Sequence, residues 1–584
     1  MKLFYGSLNM RYKEKIMPLL KVVLFTMIID LTLTGYLVTK TTKLMYTQKY
    51  MSALSWYNKD QAQSNFKEII DGKIEHPLTI GAVTAFYFYN GHILNNQDYI
   101  KKGKQLLKVL DQYPYRQEEY NATLYLYNQE HGHFKKAKWW SAMANSSIAL
   151  AYMYGYKETG ELKYKESAIK AMNGVIQPIS KNGSALILDD KSSWYLEYAD
   201  SNSNIENSYF VLNGFHFAQL VIKIFSQELE SHQKYTDAYA AGVNAYKLYS
   251  QRFFTNSNWT YYRLNKQVVE STHYAVYDQL IMEILAQYDK ENSSFFKADY
   301  LKRAENFKIN YGLEKYNDKI LFSSIGNPNP YWIDLYTTEL FLTYKSGKTR
   351  SIMVHAKDKD KKISERAFAI FDKNIDLKSI EVFQVYNNRK ILLYTQNVKN
   401  IPIGSTALSK DNIDIASYVD NLKFIPSKKK YWDDLLSLDK QTLLKRYANK
   451  NSKGIIEFTF NEPVDLWKKK FFSIFINTKN EIKSIKVLLF DINGKTSERY
   501  YLSQSIGNNL ILLTATGFKN QNINHNIKKM RFYLYTDNHT SDNNLTIDFS
   551  EINYFDTSSE LYDLLHKNDI NDNPVFRFKE KNRK

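Results

Sequence analysis

The sequence predicts a multidomain chain that is α first and β after: an (α/α) toroid of helical hairpins, then β-sandwich material, behind an N-terminal membrane anchor. Three observations carry this. Apolar residues recur at helical spacing in eight or more segments between about Lys43 and Phe307, joined by short polar loops. After Tyr311 the period changes to short β-rich runs broken by Lys, Asn and Asp turns. A basic flank (Lys2, Arg11, Lys13, Lys15) precedes a mostly apolar run from Val22 to Val38. A chain of 584 residues is too long for one ordinary core. The boundaries read as 1–44 for tail and anchor, 45–312 for the toroid, 313–435 for a β-rich domain, 436–567 for a sandwich and 568–584 for a flexible tail.

The apolar run is 17 residues, the short end of what spans a bilayer, and Asp30 in its middle is costly there. The positive flank predicts a cytoplasmic N-terminus, a single pass, and a large extracytoplasmic C-terminal region. Secretion after signal-peptide cleavage is the alternative, against which no small-x-small site follows Gly35-Tyr36-Leu37.

Lys and Arg exceed Asp and Glu by 79 to 61, a net charge of +18 that favours polyanionic partners. No Lys/Arg block stands beside a nucleic-acid-binding signature, so an acidic polysaccharide or an anionic lipid surface fits better than nucleic acid. With no cysteine, the chain forms no disulfide, thiolate nucleophile or Cys-ligated zinc site. The 47 tyrosines suit helix and sheet interfaces and also sugar-binding surfaces. Oligomerisation is left open.

The helical region begins after His76-Pro77, where proline ends one segment and Ile80 to Tyr89 starts a long apolar helix. Tyr99 to Leu110 follows, with Ile100, Leu106, Leu107 and Leu110 on its apolar stripe. Further helices read from Ser141 to Tyr156, Leu162 to Met172, Ser208 to Gln227, Tyr235 to Tyr249, His273 to Tyr288 and Phe295 to Phe307.

Within that region, Trp140-Ser141-Ala142-Met143-Ala144, then Trp194-Tyr195-Leu196-Glu197-Tyr198, then Phe210-Val211-Leu212-Asn213-Gly214-Phe215 stand in an order and spacing that resembles the C-terminal catalytic domain of D-glucuronyl C5-epimerases. That family makes L-iduronate from D-glucuronate in heparosan-type polysaccharides. His76-Pro77-Leu78-Thr79-Ile80-Gly81 is similar to the start of the helical region in its short bacterial relatives, and the resemblance spans about residues 74 to 307.

The resemblance implies a cofactor-free reaction. Epimerising a uronate removes a weakly acidic C5 proton and delivers one to the opposite face, so two acid/base groups flank one carbon while donors or cations hold the developing charge. Tyrosine serves when a neighbour lowers its pKa from about 10. By resemblance, Glu197 and Tyr198 are the family's catalytic Glu-Tyr pair, and Tyr262 is its second tyrosine in a Tyr-x-Leu setting.

The third position departs from the pattern. Family members carry Tyr-His-x-x-His-x-x-Gln-Leu, whereas this chain has Thr272-His273-Tyr274-Ala275-Val276-Tyr277-Asp278-Gln279-Leu280. Aligned on Gln279-Leu280, Thr272 fills the tyrosine slot and Val276 the second histidine slot, so Tyr274 or Tyr277 supplies the phenol from a shifted position, with Tyr274 the first candidate. If neither does, β-elimination by a polysaccharide lyase, which shares the first proton abstraction, or non-catalytic polysaccharide binding or assembly are the alternatives.

Trp140, Trp194 and Tyr195 are candidate substrate-binding aromatics. Asn213 reads as holding a loop near the site or contacting ligand, and His273 as a substrate contact or a helix cap. Arg263 is a candidate partner for the substrate carboxylate, or a solvated surface residue. No metal site is read: His131-Gly132-His133 has no third ligand at helical spacing, and Asp189-Asp190, like Asp358 and Asp360, reads as a charged turn.

The β half contains runs at Ile352 to Val354, Ile380 to Tyr386 and Ile391 to Tyr394. A lysine-rich connector with a short helix covers Ser427 to Tyr447, and clearer strands follow at Gly454 to Phe460, Phe471 to Asn477, Ile485 to Phe490, Leu510 to Thr514, Lys529 to Tyr535 and Leu545 to Tyr554. This last block, with its Asp491-Ile492-Asn493-Gly494 turn, resembles the jelly-roll sandwiches of carbohydrate-binding modules, and a structural spacer is the equal alternative.

Overall fold

The structure is a computed structural model. It describes residues 59–130, 138–228, 232–255, 259–265, 267–270, 272–325, 337–355, 366–372, 376–386, 389–405, 413–414, 419–424, 454–466, 471–478, 484–501, 507–514, 523–535, 547–567 and 575–578. The anchor run Val22 to Val38, His131-Gly132-His133, Asp358 and Asp360, and the connector from Ser427 to Tyr447 lie outside these residues. Among the described residues no helix is long and apolar enough to cross a membrane.

Ten helices are described: α1 (Lys59–Ile70), α2 (Pro77–Ile93), α3 (Gln97–Asp111), α4 (Ala142–Thr159), α5 (Leu162–Ile176), α6 (Leu212–Glu228), α7 (His232–Tyr249), α8 (Thr272–Tyr288), α9 (Ser293–Asn310) and α10 (Ser558–Lys567). Local chemistry starts and stops them. His76 caps α2 by accepting from the Thr79 N–H, with Pro77 in its first turn, where a missing N–H costs nothing. Ser141 caps α4 through the Ala144 N–H, and Gly160, at φ +71°, ends it. The helix read as starting at Ser208 starts at Leu212, because Tyr209 to Val211 run beside the strand that holds Arg263.

Helices α2, α4, α6 and α8 pack successively side by side, and α3, α5, α7 and α9 pair with them as hairpins. The inner α4 is buried from Ala142 to Gly155, so it is apolar or small on every side, whereas α3 buries only one stripe. The arc does not close into the expected ring among the described elements. Its far side meets β structure instead, with α8 and α9 packed against a strand at Arg389–Asn397.

Three short antiparallel hairpins interrupt the helices: β1 (Arg116–Glu119) with β2 (Ala122–Tyr125), β3 (Ala185–Ile187) with β4 (Ser193–Tyr195), and β5 (Tyr261–Arg263) with β6 (Val268–Val269). The Trp194 to Tyr198 motif therefore leaves a strand, not a helix.

The remaining strands are β7 (Tyr311–Tyr316), β8 (Lys319–Ile325), β9 (Thr337–Tyr344), β10 (Thr349–His355), β11 (Arg366–Asp372), β12 (Leu377–Tyr386), β13 (Arg389–Asn397), β14 (Ile413–Asp414), β15 (Val419–Phe424), β16 (Gly454–Asp465), β17 (Phe471–Thr478), β18 (Ser484–Asp491), β19 (Thr496–Tyr501), β20 (Gly507–Thr514), β21 (Asn526–Tyr535), β22 (Ile547–Phe555) and β23 (Val575–Phe578). They form sheets ordered β10-β9-β12-β13, β23-β11-β8-β7, β14-β22-β17-β20 and β15-β16-β21-β18-β19. Alternation is clear on β21, where Met530, Phe532 and Leu534 are buried and Lys529, Arg531 and Tyr533 face outward.

Two expectations are corrected here. Part of the segment read as a loose tail, Val575–Phe578, is a strand paired in parallel with β11, because that edge offers an unfilled ladder. The boundary between 435 and 436 is crossed repeatedly, by β14 on β22, by β23 on β11 and by α10 against β7. The Glu314 carboxylate on β7 accepts the Ser558 and Ser559 N–H groups at the start of α10, both at 2.9 Å, and the Ser559 hydroxyl at 2.8 Å. Glu314→Ala is expected to lower unfolding stability by about 2 kcal/mol, a charged hydrogen-bond loss, in denaturant titration of the full chain. An unchanged midpoint would show that α10 is held by its apolar face alone.

Candidate active site

Glu197 and Tyr198 sit on backbone pinned from both sides. The Leu196 N–H donates to Ser184 O and its carbonyl accepts from the Ala142 N–H, while Trp140 and Ala199 exchange both backbone hydrogen bonds at 2.9 Å. The pair is thereby fixed beside the start of α4.

Gly214, in the first turn of α6, completes the seat. A Cβ there would lie 2.2 Å from Glu197 Oε2 and 2.8 Å from its Cβ and Cδ, so only glycine fits against this carboxyl. Its backbone N–H, one of the orphan donors of a helix N-terminus, hydrogen-bonds Glu197. Glu197 Oε2 is covered and accepts no further hydrogen bond from a side chain.

Two phenols face the same carboxyl. Tyr262 Oη donates to Glu197 Oε1 at 3.4 Å, and the Tyr198 and Tyr262 hydroxyls are 3.3 Å apart. Tyr274 stacks on Tyr262, ring centroids 5.2 Å apart and planes 28° apart. Tyr274, on α8, thus lies in the cluster. Tyr277 is buried near the same carboxyl. The backbone of Thr272 and His273 lies in the first turn of α8, and their side chains lie outside the described residues.

Burial dominates the electrostatics. It raises Glu197 to about 7, against the hydrogen bonds from Tyr198, Tyr262 and the Gly214 N–H, which lower it. Tyr198, Tyr262 and Tyr274 are all pushed well up, first by burial and next by the nearby Glu197 charge. The expected lowering of a tyrosine is therefore not found. Arg263 is a cation in electrostatic reach of both Tyr198 and Tyr262; it is buried, and its guanidinium lies over the Tyr209 ring at 4.7 Å. The surface reading of Arg263 is corrected, since the Val211–Arg263 bridge draws it inward.

Three other candidates are buried in the core. Trp140 is buried and donates from its indole to Gly183 O at 3.1 Å. Trp194 stacks on Phe215 at 3.9 Å and is wholly buried, and Tyr195 donates to Ala238 O at 2.6 Å inside the core. All three are packing residues, as large aromatics beside apolar helices commonly are. Asn213 is buried next to Gly214, with Oδ1 accepting no hydrogen bond among the described residues.

Sequence reasoning missed Trp139, Tyr127 and Tyr209, which back Tyr198. Trp139 lies 5.4 Å from Tyr198 and stacks on Tyr127 at 3.9 Å. Trp139 directly precedes a quoted motif residue, the one signal available. Asp189 does act in a turn, accepting from the Lys191 N–H, and among the described residues no cluster of three or more His, Asp or Glu is arranged for a metal.

Two outcomes are expected. Gly214→Ala forces Glu197 aside and lowers stability by about 1–3 kcal/mol, checked by denaturant unfolding. Glu197 also makes stability depend on pH: below its unfolded pKa both states are protonated, and as pH rises toward about 7 the unfolded chain ionises first, so stability falls across that window. Glu197→Gln removes this loss and is expected to raise Tm at pH 8 but not at pH 4. A Tm difference independent of pH would contradict a raised carboxyl.

Residues 116–305 match the family model described as D-glucuronyl C5-epimerase C-terminus. No curated protein matches the chain. Among solved structures the chain is similar to a D-mannose isomerase, at 15% identity over 40% of this chain and 58% of that one, with a TM-score of 0.28. It is also similar to a family 11 carbohydrate-binding module from Clostridium thermocellum in complex with a β-1,3-1,4-mixed-linked tetrasaccharide, at 13% identity over 26% of this chain and 88% of that one, TM-score 0.16. At such scores neither likeness bears on function, and the chain spans little more than half of the isomerase. The family match coincides with the segment that carries Glu197, Tyr198, Tyr262 and Tyr274. Over residues 116–305, about a third of its length, the chain is similar to the D-glucuronyl C5-epimerase C-terminus family.

Proposed function

We propose that this protein is a uronosyl C5-epimerase acting on glucuronate units of an acidic polysaccharide. The observation that carries the reading is a buried carboxyl raised to about 7, hydrogen-bonded by Tyr262 and beside Tyr198, within the family segment. A carboxyl with that pKa suits proton abstraction near neutrality better than a phenol pushed above its usual range.

In this reading the Glu197 carboxylate takes the C5 proton, and the electron pair passes into the substrate carboxylate as an enolate. Tyr198 and Tyr262 donate hydrogen bonds as charge moves, and Arg263 supplies the nearby positive charge. Tyr274 is the phenol offered for return of a proton to the other face. The cationic excess of 79 over 61 favours an acidic polymer, and the basic flank before Val22 supports an anchored, extracytoplasmic enzyme, with a cleaved signal peptide as the alternative.

One distance favours a second reading. Hydroxyls 3.3 Å apart leave no room for a sugar between Tyr198 and Tyr262, so the two phenols do not flank C5 as opposite faces. A base and an acid gathered on one side also suit β-elimination, in which the proton goes to the leaving oxygen at C4.

Heparosan incubated with the full chain in deuterated water separates these readings by NMR. Epimerisation is expected to place deuterium at C5 with iduronate signals, and Tyr198→Phe to reduce incorporation by about 100-fold or more. An unsaturated, ultraviolet-absorbing product would identify a lyase. Retention of the polymer without deuterium would identify a binding protein.

A further inference from the structure

A second buried polar cluster lies behind the site and takes no part in the chemistry above. His216 on α6 and Asp278 on α8 are 1% and 0% exposed, and His216 Nδ1 lies 2.7 Å from Asp278 Oδ1. Neutral His216 donates this Nδ1–H to the carboxylate. Tyr246 on α7 meets the imidazole edge-on at 4.7 Å. Glu270, after β6, accepts from Thr260 at 2.5 Å and faces Arg303 Nη1 at 3.8 Å, and Arg303 on α9 donates through Nε to Asp299 at 2.9 Å.

Three carboxyls, one guanidinium and one imidazole thus share a region of 0 to 5% exposure. Desolvating such groups is costly, and apolar residues of equal volume would hold helices together as well or better. Stability alone is therefore a poor account of them. Their attachment points suggest another role. His216 lies two residues beyond Gly214, which seats Glu197. Asp278 lies one helical turn beyond Tyr274, on the same face of α8, and Tyr274 stacks on Tyr262.

We propose that His216 and Asp278 are positioning residues, whose hydrogen bond sets the spacing of α6 from α8 and through it the separation of Glu197 from Tyr274. The proposal rests on the C5 reading, in which the carboxyl and the phenol act on one carbon at a defined separation. Small displacements of reacting groups cost rate steeply while leaving polymer contacts elsewhere intact.

The test uses the full chain, with Asp278→Leu to break the bond and Asp278→Asn to keep a neutral acceptor for the Nδ1–H. On heparosan in deuterated water, Asp278→Leu is expected to lower kcat for C5 exchange by about 10- to 100-fold with KM altered less than about threefold, and Asp278→Asn to restore most of the rate. Wild-type kcat in a folded Asp278→Leu variant would overturn the proposal. So would equal losses in both variants, which would mark a requirement for the charge and not the bond.

If the wild type exchanges no C5 proton, the C5 reading fails by itself, and crystal structures decide the spacing. A shift of about 1 Å in the Tyr262–Tyr274 separation or in the Glu197–Gly214 contact of Asp278→Leu would support a positioning pair. Unchanged geometry would overturn it.

Discussion

The contact between Glu197 and Gly214 is the constraint on which the site depends. A carboxyl removed from water is costly unless donors meet it, and here a helix N–H and two phenols do so. The seat demands a residue without a Cβ, since any other at position 214 would occupy the space of Oε2. That demand joins two motifs separated in sequence: the strand leaving Trp194 and Tyr195 delivers Glu197, and the first turn of α6 receives it. The apolar residues of both motifs, Trp194 and Phe215, stack on one another beneath this contact.

Much of the helical scaffold was legible because periodicity and caps are local. His76-Pro77 and Ser141 mark helix starts by chemistry that does not depend on the rest of the chain. Glu197, Tyr198 and Tyr262 were legible only through resemblance, since a tyrosine beside a glutamate has no distinctive pattern. Trp140, Trp194 and Tyr195 show the reverse problem. In sequence a core aromatic and a sugar-stacking one look alike, and only burial separates them. His216 and Asp278 were missed because a single polar residue inside an apolar helix becomes informative only when its partner, here 62 residues away, is known.

The β half was read well as strands and poorly as an assembly. Alternation identifies a strand but not its neighbour, so nothing in Val575–Phe578 points to β11, and nothing in Glu314 points to the start of α10. These long-range pairings cross the boundary drawn at residue 435. The helical half escapes this difficulty because its successive hairpins pack on their neighbours in sequence.

The account turns on one ionisation, that of Glu197 between its phenols. Infrared difference spectra of the full chain across pH, with Glu197→Gln to identify the band, would follow its carboxyl stretch directly. A protonated carboxyl that persists above pH 5 and is lost near pH 7 is the predicted result. A Glu197 already ionised at pH 5 would mean that the donors outweigh burial, and that the base assigned to the site is poised for a different reaction.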